Sequence, residues 1–252
     1  QKEIEALPES TCVLENADWK VLCSDASRLP AALLEIGRLR ELSFRSAGEG
    51  TGRPRDLDRY DRHYQQLILW NKTDNQIGGA YRFVFTADVL TAHGIRGLYT
   101  SSQFQFETDF FDTLGPAMEL GRSFVRIEYQ KEFAPLLLLW RGIGGVLRRR
   151  PETRALFGAV SISAAFRPES RSLIAAFLRK HHWRSDLAAR VTSKSPWLLP
   201  ADPCVPQRNE RDLNDALREL EPGLKTMPVL LRQYLNLGGK AMALSRDRRF
   251  SD

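Results

Sequence analysis

Cysteine is scarce and odd in number. Cys12, Cys23 and Cys204 lie far apart with no C-x-x-C pair, which excludes a disulfide framework and a structural zinc site and suits a reducing cytoplasm. No apolar run is long enough to cross a bilayer, and no secretory signal opens the chain. Zinc-finger spacing, an RNA-binding aromatic motif and a long basic helix are all missing, so nucleic acid is not an expected partner. Nor is there a metal-ligand cluster, and no resident cofactor is expected.

What is present is ordinary globular material with a basic excess. The 252 residues are 42% hydrophobic and 27% charged, with a net charge of +6. That suits acidic partners: an acidic carrier protein or an anionic membrane surface. The expected location is cytoplasmic, with the inner face of a bacterial membrane as a peripheral surface. The opening at Gln1, without methionine, leads us to expect a piece of a longer chain.

Along the chain, residues 1–18 read as a polar arm or linker, and 19–252 as one domain. A short strand at Trp19–Cys23 precedes a helix from about Arg28 to Arg45, capped by Ser24-Asp25, with Leu29, Leu33, Ile36, Leu39 and, at its end, Leu42 expected inward. Arg40 and Phe44 share a face of that helix. Residues 46–63, rich in glycine and charge, predict a mobile loop ending in Asp56, Asp58 and Asp61. A hairpin follows, Gln66–Trp70 and Gln76–Thr86, with a bulge or close backbone approach at Gly78-Gly79. Helical turns at Ala87–His93 and Asp109–Leu114 come next.

Residues 117–141 organise the rest. Met118, Leu120 and Phe124 alternate with Glu119, Gly121 and Ser123, the period of a strand with one apolar face. Glu119 and Arg122 interrupt it with opposite charges, and Pro135 opens a leucine-rich helix that stops at Arg148-Arg149-Arg150-Pro151. A strand at Leu156–Ser163, a helix at Glu169–Lys180, a proline-rich loop at 194–206 and a C-terminal appendage at 207–252 complete the reading. The appendage holds helices at Asn209–Leu220 and Val229–Leu235 and a last strand at Lys240–Leu244. Alternating strands and helices around an antiparallel hairpin predict an α/β (α+β) fold, a mixed and mostly antiparallel sheet flanked by helices.

Buried Arg82 requires a carboxylate, and Asp58, Asp61 and Glu119 are the candidates. Glu119 with Arg122 reads equally as a site or a structural ion pair. His181 and Asp186 fit H-x-x-x-x-D, a glycerolipid acyltransferase motif, but they follow a helix late in the chain, where an exposed helix end is the simpler reading.

Arg40 with Phe44, Asp58 with Asp61, Arg82, and Glu119 with Arg122 resemble in order and spacing the acyl-homoserine lactone synthases, acyltransferases of the GNAT fold. Longer blocks are similar to another branch. Glu35–Glu41, Gly48–Gly52, Asp56–Asp58, Gly79–Arg82, Glu119–Val125, Leu139–Gly142 and Phe157–Ser163 look like the hemolysin-like GNAT N-acyltransferases, a group that includes ornithine-lipid, glycine-lipid and N-acyl amino acid synthases. The likeness runs from residue 1 to about 190. Gln66 departs from it, standing where many relatives have histidine, and relatives continue into a further strand beyond Asp252.

The resemblance implies transfer of a 3-hydroxyacyl group from acyl carrier protein to an amino acid's α-amine, in a domain often fused to a glycerolipid acyltransferase. Glu119 would be the general base. Arg40, Phe44, Asp58, Asp61, Arg82, Arg122 and Ser123 would form the acceptor side. Phe124, Val125, Lys131 and Trp140 would meet the acyl chain and phosphopantetheine, with backbone N–H groups after Phe124 facing the thioester oxygen. Glycine is missing from Arg126–Pro135, where CoA-dependent relatives carry a phosphate loop. The alternatives are a glycerolipid acyltransferase using His181 and Asp186, a signal synthase consuming S-adenosylmethionine, and a non-catalytic module that binds carrier protein or membrane.

Overall fold

The computed structural model describes residues 1–197, 209–221, 223 and 226–247. Two compact units divide the chain where one domain was expected: Gln1–Thr100 with Gly115–Ala159, and Ser101–Leu114 with Val160–Asp252. The order begins α1 (Lys2–Glu5), β1 (Cys12–Glu15), β2 (Trp19–Asp25), α2 (Pro30–Ser46), β3 (Gln65–Asn71), β4 (Gln76–Phe85) and α3 (Thr86–His93). It continues with β5 (Phe104–Phe106), α4 (Phe110–Leu114), β6 (Ala117–Val125), α5 (Ala134–Arg148) and β7 (Ala155–Phe157). The last elements are α6 (Pro168–His181), α7 (Ser185–Ala188), β8 (Val191–Ser193), α8 (Glu210–Leu220) and α9 (Val229–Asn236). No helix among the described residues is long and apolar enough to cross a membrane.

The first unit is a six-stranded sheet in the order β1-β2-β3-β4-β6-β7, antiparallel except for the final β6–β7 pair. Strand alternation gives it two apolar faces. Val21, Leu67, Leu69, Tyr81, Phe83, Met118 and Leu120 pack with Leu138, Leu139, Ile143 and Val146 of α5. Leu22, Ile68, Ala80 and Phe124 pack with Leu29, Ile36 and Leu39 of α2. The predicted arm is part of this unit: β1 pairs with β2, and Ile4 is buried against the α2 cluster. Glu3 also supplies the helix cap, accepting from the Ala31 and Ala32 N–H groups at 2.9 and 2.7 Å, the role expected of Ser24-Asp25.

Both predicted irregularities of the hairpin occur. Leu69 faces Gly79 and Trp70 faces Ile77, so Gly78 is the extra, bulged residue. A Cβ on Gly79 would stand 2.6 Å from the Phe124 carbonyl oxygen. Met118 and Leu120 share the face that packs on α5, but Phe124, expected on the same face, is on the α2 face. The cause is a second bulge. Ala80 pairs with Phe124 and Arg82 with Gly121, so Arg122 and Ser123 together oppose Tyr81 and the side-chain phase inverts.

The expected strand Leu156–Ser163 is only Ala155–Phe157, because the ladder ends where Gly158 abuts the Leu120 carbonyl. The second unit pairs β5 with β8 and packs α6, α8 and α9 around Phe166, Ile174, Phe177, Leu213, Leu217, Leu231 and Leu235. Asn209 caps α8 through the Arg211 and Asp212 N–H groups. The expected last strand is reduced to isolated bridges, Trp183 with Ala241 and Pro196 with Ser245. Cys204 and most of the proline-rich loop lie outside the described residues.

Gly79→Ala tests the close approach of β4 and β6. We expect a loss of about 1–3 kcal/mol of unfolding free energy, read from denaturant midpoints, since backbone rather than a movable side chain blocks the new methyl.

Candidate active site

Arg82 stands in the middle of β4, 1% exposed. An unpaired guanidinium there would be prohibitively costly, so the sequence must bring acid to it. It does so with the stretch after α2. Asp58 and Asp61 form a reciprocal cap: Asp58 Oδ1 accepts from the Tyr60 N–H and Asp61 Oδ2 from the Asp58 N–H, each at 2.9 Å. That turn aims both carboxylates at Arg82, whose Nη1 and Nη2 meet the two Asp58 oxygens at 2.7 and 2.8 Å, with Asp61 Oδ2 at 3.0 Å. The fork-to-fork geometry suits a planar guanidinium.

Arg40, fully buried on α2, extends the network to Asp61 at 2.7 Å and to Gln66 Oε1 at 2.8 Å. Gln66, the departure from the family pattern, thus serves as an acceptor for Arg40. Arg122 on the bulge pairs its Nε with Asp56 Oδ2 at 2.9 Å, while its Nη1 donates to the Tyr99 hydroxyl at 3.2 Å. Its φ of +51° is left-handed, a conformation costing about 1–2 kcal/mol for a side chain with a Cβ. Asp56 and the Tyr99 ring, 4.7 Å from its guanidinium, hold it there. Tyr60, Tyr64 and Tyr99 surround the Arg82 guanidinium at 5.8, 5.2 and 5.2 Å.

Residues 46–63 are therefore not a free loop. Glu41, buried on α2, accepts from the Thr51 N–H at 3.0 Å, the Thr51 hydroxyl at 2.7 Å and the Gly52 N–H at 2.9 Å. The Asp56 N–H is tied to the Gly37 carbonyl at 2.9 Å.

Glu119, across from Val84 on the neighbouring strand, is 1% exposed. The Tyr64 hydroxyl donates to its Oε2, joined by the Tyr99 N–H at 3.0 Å, and the Thr100 N–H donates to Oε1 at 2.8 Å. Its side chain does not pair with Arg82; it anchors the Tyr99–Thr100 turn.

The charges respond accordingly. Burial alone would raise Asp61, but Arg40 and Arg82 hold it at about 2. Asp58 is likewise below its usual range, because hydrogen bonding to Arg82 overcomes burial. Asp56 moves the other way, burial outweighing Arg122. Burial and Glu119 push the Tyr64 phenol well up, so it remains a donor.

Arg40, Asp58, Asp61, Arg82 and Arg122 are thus brought together in one ion-pair network. Phe44 is half-buried against the α2 cluster, and Ser123 is half-buried on the bulge. Phe124 and Val125 point to opposite faces, Trp140 stands edge-on to Tyr81 with centroids 6.4 Å apart, and Lys131 is exposed. Strand β6 stays paired with β4 through Val125, and the Arg126 N–H is taken by the Gly78 carbonyl at 2.8 Å. The parting of strands is on the other edge: among the described residues, β7 follows β6 only over Ala117–Glu119. Asp186 is paired with Arg184 at 2.7 Å and half-exposed, an ordinary surface ion pair. Sequence reasoning missed Tyr60, Tyr64 and Tyr99; the i, i+4 spacing of the first two was the available signal.

Arg82→Met should lower unfolding free energy by about 3–5 kcal/mol, since it leaves Asp58 and Asp61 buried without their cation. Acid titration of the wild type should show stability fully present above the unfolded aspartate value, about 3.9, and lost as pH falls through the folded value of about 2 for Asp61. Asp61→Asn should flatten that slope.

Residues 39–140 match the acetyltransferase (GNAT) domain family. A glycine N(alpha)-acyltransferase of Bacteroides thetaiotaomicron is 39% identical over 181 residues, covering 68% of this chain and 53% of that protein. A second, from Phocaeicola vulgatus, is 38% identical over 228 residues, covering 82% of this chain and 68% of its own. The chain thus spans about half the length of one curated relative and two thirds of the other. A mostly antiparallel sheet between helices, a bulged central strand and this shared sequence have one common explanation: the chain belongs to the GNAT-domain N-acyltransferases.

Proposed function

We propose that the chain moves a fatty acyl group, 3-hydroxylated as in the hemolysin-like branch, from the thioester of acyl carrier protein to the α-amine of glycine or a similarly small amino acid, yielding an N-acyl amino acid for lipid synthesis. The observation that carries the reading is the bulged strand β6, which sets Glu119 and Arg122 beside an edge that β7 leaves after Glu119. Backbone N–H groups along that edge would stabilise the oxyanion as the amine attacks the thioester carbon. The C–S bond then breaks and the thiolate leaves.

An ammonium cannot attack, so its proton must go elsewhere. Glu119 and Tyr64 are both buried, and the Tyr64 hydroxyl, which accepts from the Tyr99 N–H at 2.8 Å, donates to Glu119. In this reading the ammonium first gives one proton to water; as the free amine attacks, a second proton passes from nitrogen to the Tyr64 oxygen while the Tyr64 proton moves to Glu119, and the leaving thiolate finally takes that second proton. Arg40 and Arg82 are committed to aspartates, so their part is to order the acidic turn. Arg122 and Asp58, with side chains 11% and 22% exposed, are the network's wet edge and the groups able to meet substrate. The basic excess serves the acidic carrier, with Lys131 exposed ahead of α5.

The test is product mass spectrometry with 3-hydroxyacyl carrier protein and a pool of amino acids. We expect one N-acyl amino acid, with kcat reduced about 10²–10⁴-fold in both Glu119→Gln and Tyr64→Phe. Full kcat in Tyr64→Phe with loss in Glu119→Gln would discard the relay and leave Glu119 a positioning residue. Equal rates with acyl-CoA would discard the carrier-protein donor.

A further inference from the structure

The arginines around Glu119 are already matched by aspartates, whereas the second unit, among its described residues, holds cations without a carboxylate partner. There Ser102, Gln103, Lys194, Ser195, Ser245, Arg246 and Asp247 line a pocket of about 160 Å³. Its frame is the β5–β8 ladder, extended by the Lys194 N–H donating to the Gln103 carbonyl at 2.8 Å and the Arg246 N–H donating to the Ser195 carbonyl at 2.8 Å. The Pro196–Ser245 bridge closes it.

The pocket's polar groups are incompletely used. Lys194 Nζ donates to the Ser101 carbonyl at 2.6 Å, which occupies one of its three hydrogens. No carboxylate pairs with Lys194 or Arg246 among the described residues. The Ser102 hydroxyl is buried there without a partner. Ser245 is engaged with Ser193 at 2.8 Å. Asp247 is the one acid, and the Gln103 amide donates to it. Two cations against one carboxylate, with hydroxyls beside them, is the donor set for an anion.

We propose that this pocket binds a small oxyanion, a carboxylate or a phosphate group, through Lys194, Arg246 and the Ser102 hydroxyl. It has room for a phosphate or a glycine and not for a fatty chain. Which oxyanion it takes rests on the acyl-transfer reading, where the acceptor's carboxylate and the donor arm's phosphate are the two sources; the binding itself does not.

The experiment is calorimetric titration of the full chain with glycine, with inorganic phosphate, and with methylamine as a control lacking the anion. No acyl donor is present, so the result stands whether or not acyl transfer is observed. We expect saturable binding of glycine or phosphate, none of methylamine, and affinity at least ten-fold weaker in Lys194→Gln and in Arg246→Gln. Arg246 is exposed, so its replacement leaves the pocket's frame intact even if Lys194→Gln disturbs the Ser101 contact. Glycine binding identifies the acceptor's carboxylate, and phosphate binding the donor arm. If neither anion binds saturably, or if both variants bind as the wild type does, the proposal is overturned.

Discussion

A guanidinium in the middle of a sheet sets the terms for the first unit. Arg82 cannot be buried alone, and its demand for carboxylate converts a glycine-rich, highly charged segment into a fixed cover. Each partner brought in then needs its own partner. Asp61 draws Arg40 out of α2, Arg40 engages Gln66, and Asp56 and Asp58 fix Arg122 on a bulge whose backbone angle is otherwise unfavourable. A buried network of this kind tolerates no missing member, since any deletion strands a charge in low dielectric.

Glu119 belongs to a neighbouring but separate arrangement. Its carboxylate closes on Tyr64 and on the N–H groups of Tyr99 and Thr100, while the rings of Tyr64 and Tyr99 lie against Arg82. The tyrosines are the connection between acid and cation network. They let a carboxylate and a guanidinium share one region of the sheet without neutralising each other directly, which keeps the acid in contact with a protic group.

The bulge at Arg122 and Ser123 performs two tasks at once. It turns Arg122 toward Asp56, and it inverts the side-chain phase so that Phe124 completes the α2 face of the core. One inserted residue thus relates a site geometry to a packing requirement, which is why such irregularities recur where strands carry function.

Alternation and helix punctuation in the sequence determined most elements of the first unit: the hairpin, the bulge at Gly78, β6, and α5 between Pro135 and the terminal arginines. Arg82 with Asp58 and Asp61 was legible because buried charge demands opposite charge, whatever the fold, while Arg40 and Arg122 joined the set through the resemblance to a known family. Local signals could not supply the pairings. Which acid meets which arginine, the enclosure of Glu119 by Tyr64, the capping of α2 by distant Glu3, and the phase change before Phe124 all depend on groups far apart in the chain. Those contacts exist only once the sheet has its register, so tertiary structure alone decided them.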